Sequence, residues 1–224
     1  MLEKYSLALA IENFLPVALL TLGLFFTARM LSRKSEVVGE LAYVGSLLIF
    51  AGNLLNAIGK LLNAINVAQA AWMKNSLLFL SAPGFVCLAW ALWRSKLKDL
   101  TAGKVWLLPL FFNAALLALT AAVKMVKGGQ TWLHMLLAVT TIASIAAFIQ
   151  LARLALQQQN QLVAMLFILS LGMSLALTLR GSDGTEAAEW AKQISKTISH
   201  GVFAFAAVAL TKKKSQGNSS GSRL

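Results

Sequence analysis

Long apolar runs alternate with short polar connections along the chain, and this pattern predicts the fold. A helix needs about 20 apolar residues to cross a bilayer. Seven runs approach or exceed that length, without the period-two alternation that marks a barrel strand. They cover residues 7–31, 37–59, 73–94, 105–125, 131–155, 161–180 and 187–210, numbered here as spans 1 to 7. We therefore expect an all-α membrane protein, a bundle of seven transmembrane helices.

The composition supports this prediction. Of the 224 residues, 58% are hydrophobic and 12% are charged, and the mean hydropathy is +0.71. Soluble domains carry about twice that share of charged residues. The sequence therefore predicts a single transmembrane domain over residues 1–211, followed by a flexible basic cytoplasmic tail over residues 212–224.

Basic residues gather on one side of the predicted bundle. The connections after spans 1, 3 and 5, together with the C-terminal tail, hold most of the lysines and arginines. Because basic connections stay in the cytoplasm, the N-terminus should lie outside and the C-terminus inside. We expect an integral protein of a bacterial inner (plasma) membrane. Topology and attraction to membrane lipids then explain the net charge of +12, and no nucleic acid is needed as a partner.

Span 7 carries ionisable residues on one face. At 100° per residue, one narrow arc of the segment EWAKQISKTISHG contains Glu189, Gln193, Lys196 and His200. A charge near the bilayer centre costs about 2.5 to 3.5 kcal/mol, so such residues usually face the interior of a bundle. Counting about 1.5 Å per residue places Lys196 near mid-membrane. We interpret this face as the lining of a hydrated or ligand-filled space, with interhelical hydrogen bonding as the alternative.

Spans 1 and 2 add polar residues toward the same outer side. A stripe in span 2, at spacings of three and four, includes Asn53, Asn56 and Lys60. Span 1 contributes Glu12 and Asn13 near its start. Together with span 7, these groups predict a cavity that opens outward, while the inner halves of the helices stay apolar. Packing through asparagine hydrogen bonds explains the span 2 stripe equally well.

Such a cavity would be cationic, because its basic residues, Lys60, Lys196 and Arg180, outnumber its carboxylates, Glu12 and Glu189. We therefore predict a carrier- or permease-like protein that binds a small anionic or zwitterionic ligand. In this interpretation Lys196 holds the negative group of the ligand, and His200 exchanges a proton. The predicted ligand-binding residues are Lys196, His200, Glu189, Gln193, Asn53, Asn56, Lys60, Glu12 and Asn13.

Other functions fit the same pattern. One is a sensor or an accessory subunit of a larger complex, because the connections are short and a partner membrane subunit would have to carry the output. Another is an intramembrane enzyme with His200 or Glu12 as its base. Two histidines in different spans and a single cysteine predict neither a metal site nor a haem site, so no cofactor is expected.

Two further patterns are similar to known architectures. Seven spans with a lysine in span 7 resemble the retinal proteins, which implies a Schiff base at Lys196, although span 3 offers no carboxylate as counterion. The end of span 1, Ala28-Arg29, aligns with the end of span 5, Ala152-Arg153. This offset resembles small sugar-type carriers, and implies two parallel three-helix repeats with span 4 as their linker.

Overall fold

The computed structural model describes residues 6–67, 71–97, 101–179 and 185–217. These residues form eight helices: α1 Leu7–Glu12, α2 Phe14–Ser32, α3 Glu36–Ala64, α4 Ala71–Arg94, α5 Ala102–Lys127, α6 Thr131–Gln157, α7 Gln161–Leu179 and α8 Glu186–Gly217. Six segments are long and apolar enough to cross a membrane, with α1 and α2 counted as one, and the apolar part of α7 is shorter. The predicted helical membrane bundle is confirmed in this form.

The regular hydrogen bonding of the first span is interrupted between α1 and α2, at Asn13, which keeps a helical φ of −57° and ψ of −20°. We call this point the break. Pro16 lies four residues after Glu12 and has no amide hydrogen, so it cannot donate the usual helical bond to the Glu12 carbonyl. The proline ring also crowds that carbonyl, which explains why the helix is interrupted one turn before Pro16.

Two helices run further than the apolar pattern predicts. The α3 helix continues to Ala64, so Lys60 lies inside a helix rather than in a connection. The α8 helix continues to Gly217, and its last turns occupy the start of the predicted tail. Residues 218–224 of that tail lie outside the described residues.

Six helices form a closed ring in the order α2, α3, α4, α6, α7 and α8, with α8 packed against α2. The α5 helix lies outside this ring and packs mainly on α4 and α6. Neighbours on the ring repeat: α2 contacts α3 and α3 contacts α4, as α6 contacts α7 and α7 contacts α8. The two three-helix groups meet at two seams, α2 with α8 and α4 with α6.

The main apolar core occupies one half of the bundle. We call the end that carries the start of α1 the N-terminal end and the opposite end the C-terminal end; short connections make successive spans antiparallel. In the C-terminal half, the ring of Phe203 lies 5.2 Å from that of Phe148 and 6.1 Å from that of Phe167, measured between centroids. Gly23 in α2 leaves no space for a side chain beneath Phe203.

The α3 and α4 backbones touch through glycines in the same half. A Cβ atom on Gly45 would lie 2.7 Å from the carbonyl oxygen of Gly84, and one on Gly84 would lie 2.8 Å from that of Gly45. Side chains at either position would push the helices apart. Small residues at such contacts let membrane helices gain van der Waals contact where lipid provides no hydrophobic driving force.

Candidate functional site

The break in the first span is held by side chains from α3 and from α1 itself. Asn13 is 2% exposed, and its Nδ2 donates a 2.7 Å hydrogen bond to the Leu9 carbonyl. Its Oδ1 accepts a 3.0 Å bond from Nζ of Lys60. Asn13 thus faces α3 and brings the Lys60 ammonium to the point where the helix is interrupted.

The α8 helix binds both sides of the same break. On the α1 side, Oγ1 of Thr197 donates a 2.6 Å bond to Oε1 of Glu12. On the α2 side, His200 Nδ1 lies 2.8 Å from the Pro16 carbonyl oxygen. Because a carbonyl can only accept, Nδ1 carries the hydrogen, and the neutral imidazole then presents Nε2 as an acceptor.

Seven side chains from these helices form one group around the break. We call it the polar cluster, and its members are Glu12, Asn13, Lys60, Gln193, Lys196, Thr197 and His200. Lys196 lies within electrostatic range of Lys60, Lys192 and Glu12. The Lys196 ammonium group is therefore close to two like charges and one carboxylate in a partly desolvated position, where like charges repel more strongly than in water.

The polar cluster lies near the N-terminal end of the bundle. Glu12 is five residues into α1, and Lys60 is four residues from the end of α3, so both are about 6 to 8 Å from the helix ends. The bond between Thr197 and Glu12 places Lys196 at the same height. Counting along span 7 alone predicts a deeper position, because α8 begins about two turns before α1 does.

Access to the polar cluster is partial. Glu12, Lys60, Lys196 and His200 are each half-buried, whereas Gln193 is 5% exposed. The charged groups therefore keep some contact with the surroundings at the N-terminal end, while the amide of Gln193 is enclosed by the helices.

The remaining predicted ligand-binding residues lie further along the same helices, α3 and α8, and Arg180 lies outside the described residues. Asn56 and Asn53 are one and two turns deeper than Lys60 on α3, and each is 8% exposed. Nδ2 of Asn53 donates a 2.9 Å bond to Ile49 of its own helix. Glu189 is half-buried and lies about two turns from Lys196, toward the start of α8.

Sequence reasoning missed two members of this arrangement, Thr197 and Pro16. Thr197 lies four residues after Gln193 and so shares the polar face of α8, a signal that helical spacing could have provided. Pro16 offers only its carbonyl, and a proline early in a span is a signal for a break. Which helix would receive that carbonyl was not readable from the sequence.

A second polar contact joins α7 to α8 at Ser199, the residue before His200. Ser170 Oγ donates to the Ser199 carbonyl at 2.9 Å, and Ser199 Oγ donates to the Ser170 carbonyl at 3.0 Å. Ser174 Oγ lies 2.9 Å from Ser199 Oγ. Ser199 is fully buried, so this reciprocal serine pair fixes the register of α7 against α8.

The polar cluster offers both hydrogen-bond donors and hydrogen-bond acceptors to a charged group. Lysine ammonium groups donate, a carboxylate oxygen accepts, and the helix break supplies backbone carbonyls. No family model, curated protein or solved structure matches this chain. The residues and contacts described above are therefore the basis for assigning a function.

Proposed function

We propose that the protein is an integral membrane protein that binds a small anionic or zwitterionic ligand at the polar cluster, in the manner of a carrier or permease. One observation carries this proposal: within a helical membrane bundle, Lys196 lies within electrostatic range of two further lysines, Lys60 and Lys192, and of one carboxylate, Glu12. Excess positive charge away from water is unfavourable, and an anionic group placed among the lysines lowers that cost.

The broken first span supports the same function. Carriers commonly build their sites where a helix loses its regular hydrogen bonding, and here the Glu12 carbonyl loses its usual donor because Pro16 has no amide hydrogen. Here the break supplies Glu12 and Asn13, and it is spanned by α8 on both sides. A ligand that competes for these groups would change how α1 is held.

The order of the helices supports a carrier in particular. The polar cluster lies at one of the two seams between the three-helix groups, where α2 meets α8. Motion of one group against the other would open or close that seam, which is how repeat-built carriers give access to a site. We place the N-terminal end outside a bacterial inner membrane, in keeping with the basic connections at the opposite end.

The experiment is a binding assay on the purified protein in mild detergent, with acetate, inorganic phosphate and free glycine as probes. Binding of a probe should raise the unfolding temperature of the wild-type protein. Lys196→Met keeps the length of the side chain and removes its charge, and should abolish that rise. Lys127→Ala is the matched control, because Lys127 is exposed at the end of α5, on the same end of the bundle.

Two results would contradict the proposal. One is a set of unfolding temperatures that no probe changes. The other is a rise that survives unchanged in Lys196→Met. A native mass spectrum of the same sample distinguishes this function from the main alternative. A stoichiometric partner subunit without a small ligand would indicate an accessory subunit of a larger complex.

A further inference from the structure

Two buried polar atoms of the polar cluster lack a hydrogen-bond partner among the described residues. They are Nε2 of Gln193 and Oε2 of Glu12. One is a donor and the other is an acceptor that carries negative charge. Buried polar atoms in native proteins are nearly always paired, so a site that leaves one of each kind unpaired calls for a partner that offers both kinds of group.

Both atoms lie close to the same turn of α8. Gln193 lies three residues before Lys196 and four before Thr197, so all three share a face of α8. Thr197 holds the other oxygen of Glu12 at 2.6 Å. The unpaired donor therefore lies one helical turn from the residue that anchors the unpaired acceptor, with the Lys196 ammonium on the same face.

A simple anion or a simple cation satisfies only part of this arrangement. An anion would pair with the lysines and the Gln193 amide, but it would leave Oε2 of Glu12 without a partner and facing a like charge. A cation would pair with Glu12, but it would be repelled by Lys196 and by the lysines within electrostatic range of it. A molecule that carries an anionic group and a primary ammonium close together satisfies both sets of atoms.

We propose that the ligand is a zwitterion, with its anionic group on Lys196 and the Gln193 amide and its primary ammonium on Oε2 of Glu12. This inference rests on the proposed function and narrows its ligand class. Two sources provide that chemistry: a free amino acid, and the headgroup of an ethanolamine phospholipid. The half-buried position near the N-terminal end admits either one.

The test compares three probes of matched size: free glycine as the zwitterion, acetate as the anion alone and methylammonium as the cation alone. Calorimetric titration of the whole protein in detergent should give glycine an affinity about tenfold or more above that of acetate, because a charge-assisted bond to Glu12 is added. Methylammonium should not bind measurably.

Variants then assign the two groups of the ligand. Glu12→Gln keeps the shape and the bond with Thr197, and should reduce glycine affinity to that of acetate while leaving acetate binding equal or stronger. Gln193→Leu removes an atom that has no partner, so the fold should persist, and it should weaken both glycine and acetate. Lys127→Ala should change neither.

The lipid source has its own arm. The protein is placed in bilayers that contain either phosphatidylethanolamine or phosphatidylcholine, whose quaternary ammonium cannot donate a hydrogen bond. The headgroup is the ligand if native mass spectrometry shows phosphatidylethanolamine retained by the wild type and lost from Glu12→Gln, and if glycine does not bind.

The outcomes separate the two proposals. Equal binding of glycine and acetate that Glu12→Gln does not reduce would overturn the zwitterion and leave the anionic ligand in place. Failure of every probe and of phosphatidylethanolamine to bind would overturn both. We expect Gln193→Leu to weaken the binding of acetate and of glycine to the same extent. We expect the wild type to prefer glycine, and Glu12→Gln to abolish that preference.

Discussion

In the C-terminal half of the bundle, Phe148 and Phe203 meet in a core of apolar side chains, and α3 and α4 touch through paired glycines. In the N-terminal half, the buried residues include Asn13 and Gln193, and lysines from two helices approach one carboxylate. The same helices run through both halves. Their contacts are therefore of two kinds: shape-matched and apolar at one end, directional and charged at the other.

The difference indicates in which half the contacts between helices can be altered without loss of the fold. Apolar close packing gains many small contacts at once and fails when one atom too many is added. Directional bonds can be exchanged one for another, provided that each polar group finds a partner. The C-terminal half should therefore tolerate added atoms poorly, whereas contacts between helices in the N-terminal half can be exchanged for other polar contacts.

Adding a single methyl group to the glycine contact should have the largest effect. In Gly84→Ala, the new Cβ would lie 2.7 Å from Cγ1 of Ile49 and 2.8 Å from the Gly45 carbonyl oxygen. We expect a loss of about 2 kcal/mol in the free energy of unfolding, measured by thermal or denaturant unfolding in detergent.

The matched control is Gly172→Ala in α7, where a Cβ would meet nothing within 4 Å. Alanine is the better helix former by about 1 kcal/mol, so this variant should be unchanged or slightly more stable. A Gly84→Ala protein as stable as the control would show that the close glycine contact between α3 and α4 does not stabilise the C-terminal half.

A smaller effect should follow from removing the bond between α8 and the α2 side of the break. His200→Leu loses the contact with the Pro16 carbonyl oxygen, at a cost of about 0.5 to 1.5 kcal/mol. The α1 segment should then open more often, and amide hydrogen exchange over residues 7–15 should become faster. His134→Leu is the control, since His134 is exposed on α6 at the same end of the bundle. Equal exchange rates in the two variants would contradict a role for His200 in holding the break.

The smallest effect concerns the rim of the C-terminal end. Burial, followed by the positive charge of Arg153, lowers the pKa of Lys96 from its ordinary 10.5. The unfolded chain then binds the proton more tightly than the folded one, so stability should rise with pH between the lowered value and 10.5. Arg153→Gln should raise the pKa of Lys96 and flatten that rise, as followed by NMR titration of labelled lysine. An unchanged titration would show that Arg153 does not act on Lys96.

Much of the fold was predictable because the bilayer imposes it. The length of each apolar run gives the helix, and the predicted spans agree with α2 to α8 except where polar helix ends continue beyond the apolar run, as at Lys60. The polar faces of spans 2 and 7 followed from helical spacing. What spacing cannot give is the neighbour that each face meets, because that depends on helix order and relative height.

The candidate site shows the same limit. Glu12, Lys60 and Lys196 were predictable as groups that avoid lipid, and the structure brings them together around the break. Asn53 instead bonds to its own helix. Thr197 was not predictable as a partner of Glu12, because a threonine in a span usually bonds to a carbonyl one turn earlier. The height of Lys196 relative to Glu12 was also not readable from span 7 alone, since α8 starts about two turns before α1.

The position of α5 outside the ring has a consequence for the parity of membrane crossings. A group of three helices crosses an odd number of times, so a second group joined to it directly would be inserted upside down. One additional crossing restores the direction, which makes α6 parallel to α2 and α8 parallel to α4. The α5 helix supplies this additional crossing, and it packs less extensively on the ring than the ring helices pack on one another. We expect a chain without it to form an inverted pair, with Lys196 at the opposite side of the membrane from Glu12.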